Sequence, residues 1–141
     1  MEFRIEVPSK KEEREIDDEL MIHNLKCVPP AQEEPFVKIC RCAKAPDGSL
    51  AGGVLACSVL WNILYVEAVW VREDCRGRRL ATRLLDEVEA EAKALGCRIA
   101  QLDTYDFQAR ELYEKRGYRV FGTLENAPEG HSHYYLFKEL L

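Results

Sequence analysis

Five arginines crowd one short stretch of the chain. Arg72, Arg76, Arg78, Arg79 and Arg83 fall within Val69-Trp70-Val71-Arg72-Glu73-Asp74-Cys75-Arg76-Gly77-Arg78-Arg79-Leu80-Ala81-Thr82-Arg83-Leu84-Leu85. An apolar strand ends here, a loop turns, and a long helix begins. A helix N-terminus already carries about half a positive charge, so each cation placed there costs roughly 0.3–1 kcal/mol. The conflict disappears if an anion sits at that end. Free backbone N–H groups, one glycine allowing close approach, and several guanidiniums together make a phosphate site. The other reading is a solvated basic turn. Gly77 is the only glycine of the stretch, so the G-x-G-x-x-G dinucleotide pattern fails, and the Gly-Lys-Ser/Thr ending of a P-loop is absent.

Glu67 is the second residue whose placement calls for chemistry. It interrupts the apolar run Tyr65-Val66-Glu67-Ala68-Val69, where an ionised carboxylate is costly unless it is paired or faces a wet cleft. Burial would raise its pKa toward the working range of a general base. A salt bridge to one of the arginines is the alternative.

The elements that must hold these residues follow from periodicity. Residues 2–7 alternate apolar and charged, which predicts a strand. Ser9 and Glu12 form a capping-box pattern, so a helix should run to about Leu25 with Ile16, Leu20 and Met21 inward. Three prolines between Cys27 and Pro35 require a loop. Strands are expected at 36–44, 50–60 and 63–72, with a Pro46-Asp47-Gly48 turn after the first. Leu80, Leu84, Val88, Ala92 and Leu95 recur at helical spacing over 79–95, and Gly96 should cap that helix. A strand at 98–104, a helix at 107–116 capped by Gly117, and an antiparallel pair at 118–124 and 133–139 complete a single domain over residues 1–141.

Bulk properties narrow the classes. The 141 residues are 47% hydrophobic and 32% charged, with net charge −5, which describes a globular chain and disfavours a nucleic-acid partner. The uncharged run from Gly48 to Val66 contains Ser49, Gly52, Gly53, Ser58 and Asn62, and reads as two buried strands rather than a membrane helix. The six cysteines form no C-x-x-C pair and, with the histidines, no zinc-ligand spacing. Reduced thiols in a cytoplasmic protein without a metal are expected.

Two segments resemble the GNAT superfamily of N-acetyltransferases. Arg76-Gly77-Arg78-Arg79-Leu80-Ala81 resembles its acetyl-CoA motif, Arg/Gln-x-x-Gly-x-Gly/Ala, with Arg79 in place of the middle glycine. Asp106-Phe107-Gln108-Ala109-Arg110-Glu111-Leu112-Tyr113-Glu114-Lys115-Arg116-Gly117-Tyr118 resembles its Asn-x-x-Ala-x-x-Leu-Tyr-x-x-x-Gly-Phe helix, with Asp106 for the usual Asn. The resemblance implies an α/β (α+β) GNAT fold: a mixed, mostly antiparallel sheet of six to seven strands, splayed between strands 4 and 5, with helices on both faces. It implies acetyl-CoA as cosubstrate, held by the backbone of Val69, Val71 and Arg72, by the arginine loop of Arg76, Gly77, Arg78, Arg79, Leu80, Ala81 and Thr82 with its main-chain amides on the pyrophosphate, and by Asp106 and Gln108. It implies direct transfer of the acetyl group to an amine, with Tyr113 as the acid that protects the leaving thiolate and Glu67 as the base. Tyr113 as a plain core aromatic is the competing reading. His131 and His133, before the last strand, are expected with Glu67 at the acceptor, and solvent contacts are their alternative. The acceptor would be a small amine or a protein amine, lying between the Cys27 to Pro35 loop, the splayed strands and the final hairpin. A homodimer is suggested by analogy. A non-catalytic acyl-CoA-binding sensor or partner module is the other functional class.

Overall fold

The computed structural model describes residues Met1–Leu141, which divide into two compact units, Met1–Ala31 and Gln32–Leu141. The first unit holds one helix, α1 (Lys10–Cys27). Its start is fixed by the expected reciprocal cap: the Glu12 amide donates to Ser9 Oγ at 3.1 Å, and the Ser9 amide donates to Glu12 Oε1 at 2.9 Å. Two expectations fail here. Residues 2–7 form no strand, because alternation alone makes none without a partner ladder. Ile16 and Leu20 are exposed and Met21 is half-buried, since the unit has no second element to cover the helix's apolar stripe.

The second unit is built on a seven-stranded sheet: β1 (Phe36–Lys38), β2 (Arg41–Lys44), β3 (Leu50–Val59), β4 (Ile63–Val71), β5 (Ile99–Tyr105), β6 (Arg119–Glu125) and β7 (Ser132–Glu139). The order is β1-β3-β4-β5-β7-β6, with β2 also on β3. The single strand expected over 36–44 is two, although Lys38↔Cys57 and Arg41↔Val54 continue one register across the break. The uncharged run from Gly48 to Val66 becomes β3, a turn and β4, and no helix of the chain is long and apolar enough to cross a membrane. Two helices join the sheet: α2 (Leu80–Ala94) and α3 (Arg110–Lys115).

All strand neighbours are antiparallel except β4 and β5, which α2 links as a crossover. Only Ile63↔Ile99, Leu64↔Ala100 and Tyr65↔Gln101 pair, after which the two strands part. The cause is visible on the other side of β4. Leu55 pairs Ala68 and Ala56 pairs Val66, so Glu67 is an extra residue, a β-bulge that bends the strand away.

α2 anchors this arrangement. Leu84, Leu85, Val88 and Ala92 are buried against Val54, Leu64, Val66, Ala100 and Leu102 of the sheet. Each large apolar side chain so buried contributes about 1.5–3 kcal/mol. Leu95, expected in the stripe, is exposed because it already lies at the helix's C-cap. Gly96 follows at φ +103°, and the Cys97 amide returns to Ala92 O at 2.8 Å, ending the helix as the sequence indicates.

Candidate active site

The turn into α2 has the geometry that its composition calls for. Gly77 takes φ +80°, and a Cβ added there would meet nothing within 4 Å, leaving open space above the loop. Arg79 is the N-cap residue and stands in the left-handed region at φ +60°, ψ +26°. Glycine enters that region freely, whereas an L-residue is disfavoured there by roughly 1–2 kcal/mol. The motif's usual middle glycine is therefore explained by the backbone, and Arg79 tolerates the strain. No side chain caps the helix, and its first turn carries no acid. The first closing bond runs from the Arg83 amide to Arg79 O at 3.0 Å, so the amides from Gly77 to Thr82 donate to no protein acceptor.

The arginines around this turn divide. Arg72 is committed elsewhere: Nε donates to Asp74 Oδ1 at 2.6 Å, one Nη to Ser49 Oγ at 2.9 Å, and the other Nη to Asp74 Oδ2 at 3.3 Å. Its guanidinium braces the loop instead of facing an open site. Arg76 Nε donates to Val71 O at 3.1 Å. Arg78, Arg79 and Arg83 are exposed with no carboxylate within salt-bridge distance.

Beside this turn the parted strands leave a cavity of about 550 Å³. β4 from Val66 to Val71 forms one wall, Leu102 to Thr104 of β5 the other, and Arg76 and Ala81 lie at the α2 end. The Arg72 amide donates to Ala51 O of β3 at 2.8 Å, so strand alternation turns the backbone groups of Val69 and Val71 away from β3, toward the gap. Tyr113 of α3 also lines the cavity. Its ring is buried edge-on to Tyr118, with centroids 6.0 Å apart, and burial pushes its hydroxyl pKa up to about 12. Glu67 projects from the bulge into the same cavity. The expected burial of Glu67 does not occur: the residue is exposed and pairs with none of the arginines.

A groove of about 1080 Å³ runs between α2 and α3, lined in part by Arg79, Thr82, Gln108, Lys93 and Lys115. It shares Gln108, Ala109 and Leu112 with the cavity between the strands.

Residues 5–118 match the model of the acetyltransferase (GNAT) family. The chain belongs to the GNAT acetyltransferase family. It is 35% identical over 117 residues to blasticidin-S acetyltransferase of Streptomyces morookaense, covering 82% of this chain and 85% of that protein. Among solved structures it is similar to an acetyltransferase from Bacillus cereus ATCC 14579, at 31% identity, TM-score 0.90 and 97% coverage of both chains. An aminoglycoside 6'-N-acetyltransferase complexed with coenzyme A shares the fold at 20% identity and TM-score 0.65, over 74% of this chain and 73% of that one.

The remaining site residues of this acetyltransferase are held by polar contacts that the sequence did not announce. Gln108 Oε1 accepts from the Tyr105 amide at 2.9 Å and from Thr104 Oγ1 at 3.2 Å. This folds residues 105–109 into a turn and delays the helix expected from 107 until Arg110. The Gln108 side-chain nitrogen is left for the cavity it lines. Asp106 is used structurally: its carboxylate accepts from the Ser132 amide at 2.9 Å and lies 2.8 Å from His131 Nδ1. The Ser132 bond first, then His131, holds the Asp106 pKa below its ordinary value. His131 is thereby tied to the start of α3's loop and is absent from the cavity wall. His133 reaches the cavity only through Asp103, its Nε2 lying 2.7 Å from Asp103 Oδ2.

Glu89 of α2 went unnoticed in the sequence. It is 6% exposed, yet its carboxylate meets Lys138 Nζ at 2.6 Å, Arg116 Nη2 at 3.0 Å and the Tyr118 hydroxyl at 3.1 Å. This cluster ties α2 to the end of α3 and to β7, and its Tyr118 ring packs edge-on against Tyr113. The only sequence signal was an acidic residue beside Val88 on the apolar face of the helix.

Proposed function

We propose that this GNAT acetyltransferase moves the acetyl group of acetyl-CoA directly to a primary amine. One observation carries the reading: six main-chain amides without acceptors and three unpaired arginines open α2 where the parted strands end, and the same cavity holds Tyr113 and Glu67. The pyrophosphate would take the amides of Gly77 to Thr82, with Arg76, Arg78 and Arg79 around it. The pantetheine arm would lie along Val69 and Val71, within reach of the Gln108 amide. The groove between α2 and α3 has room for the nucleotide. The relatives that act on blasticidin S and on aminoglycosides support a small amine-bearing acceptor. The cytoplasm suits a chain whose six cysteines are all free.

In the reaction the amine nitrogen attacks the thioester carbonyl, a C–N bond forms, and the C–S bond breaks. The nitrogen's proton goes to the Glu67 carboxylate, which is exposed in the cavity. Tyr113, with its pKa near 12, stays protonated through the assayable range and donates to the thiolate as it leaves. The amide and free thiol are the products.

The test is thiol release from acetyl-CoA over a panel of amines, with acetyl-CoA binding read separately by thermal shift. Tyr113→Phe should slow release by about 10²-fold or more while leaving binding intact. Equal rates in the variant would remove Tyr113 from the chemistry. Glu67→Gln should lower the rate and flatten the acidic limb of the pH profile. An unchanged profile would mean that Glu67 is not the base.

A further inference from the structure

We infer that the acceptor is a cationic amine carrying a flat, delocalised group, taken between Asp103, Glu67 and a wall of stacked rings; the inference rests on the acetyl-CoA-to-amine reading above. The register of β4 and β5 supplies the first argument. Ile63↔Ile99 and Tyr65↔Gln101 are paired, and the same offset continued two residues sets Glu67 opposite Asp103 where the strands have parted. Both side chains line the cavity, and the only cation among its lining residues is Arg76, at the α2 end. The cavity's charge is therefore split, with amides and arginine at one side and two carboxylates at the other. A second positive charge on the acceptor would be drawn to the carboxylate end.

The rings supply the second argument. Phe107, 59% exposed, stacks on Tyr105 at 5.2 Å and 4°. Tyr105 stacks on His133 at 4.2 Å and 16°, and His133 leans on Tyr135 at 4.5 Å. Phe107 is itself on the cavity wall, and His133 grips Asp103. His133 uses one oxygen of Asp103 and leaves the other, on a side chain 53% exposed, for a ligand. An array of π faces beside a fixed carboxylate suits a guanidinium, an amidinium or an aminated heteroaromatic ring, which can stack and pair at once. An aliphatic ammonium can pair but not stack. Glu67 remains free for the reacting amine. Tyr105 and His133 act here as positioning residues, and Asp103 contacts the substrate.

The experiment compares kcat/KM for 4-(aminomethyl)benzamidine, agmatine, 1,5-diaminopentane and benzylamine, with acetyl-CoA binding followed by thermal shift. The two planar cations should exceed benzylamine by about tenfold or more, the worth of one charge-assisted hydrogen bond, and 1,5-diaminopentane by about threefold or more, the worth of stacking a cation on an exposed ring. Asp103→Asn should erase that preference, with acetyl-CoA binding retained. Tyr105→Leu should lower the planar cations toward 1,5-diaminopentane. Turnover of benzylamine or 1,5-diaminopentane equal to that of the planar cations overturns the inference, as does an Asp103→Asn loss shared by every amine. No turnover of any of the four, in a protein that binds acetyl-CoA, also overturns it and leaves the cosubstrate site standing. Failure to bind acetyl-CoA removes the reading beneath it.

Discussion

Helix α2 handles positive charge in two opposite ways along its length. At its middle, Glu89 collects Arg116, Lys138 and the Tyr118 hydroxyl in a buried cluster where every partner is satisfied. At its N-terminus, Arg78, Arg79 and Arg83 stand without carboxylates beside amides that have no acceptors. The first arrangement stabilises the fold, its charges met within the chain. The second destabilises the isolated protein and would be relieved by an anionic ligand. The same residue type is structural where its charge is met within the chain, and functional where it is not.

Breaking the satisfied cluster should have the largest effect. Glu89→Ala leaves Lys138 without its carboxylate and Arg116 with Asp86 alone, and should cost about 3 kcal/mol, read as a fall in the urea midpoint. The open end should respond with the opposite signature. Arg78→Ala should weaken acetyl-CoA binding by about 1.5–3 kcal/mol in calorimetry. The same variant should leave the free protein as stable or slightly more so, because a cation has left a helix N-terminus. A stability loss without a binding loss would place Arg78 with the structural cations. Arg79→Gly sharpens the contrast further. Removing left-handed strain should raise stability by about 1 kcal/mol, and retained affinity would mean that the backbone, not the guanidinium, serves the ligand.

The smallest expected effect concerns Asp106. Its folded pKa lies below the ordinary 3.8, so its hold on the Ser132 amide is present above that value and is lost as pH falls through the lowered one. The Ser132 amide resonance should therefore titrate with a midpoint below 3.8, and a midpoint at or above it would break the assignment.

The legible part of the sequence was periodicity and punctuation. The capping box at Ser9, the α2 stripe and the caps at Gly96 and Gly117 each rest on local physics, so they appear where the residues say. The arginine loop was legible because its charges oppose the local helix field. What could not be read depends on pairing between distant strands. The Glu67 bulge exists only relative to Leu55 and Ala56 of β3, and no pattern local to β4 announces it. The Asp103–His133 pair is 30 residues apart in the chain, and the ring wall spans β5 and β7, so neither has a local signature. Strand 2–7 was misread because alternation describes a face and cannot supply a neighbour to bond.

The bulge also reverses the phase of β4. Before it, Leu64 and Val66 are the buried residues; after it, Val69 and Val71 lie further in than Ala68 and Trp70. Even positions give way to odd ones within a single strand. Shortening the chain by one residue between Val66 and Val69 would restore strict alternation, extend the ladder onto β5 and zip the gap shut. A one-residue deletion inside an ordinary strand turns its downstream side chains to the wrong face; here the same edit would exchange a catalyst for a closed sheet.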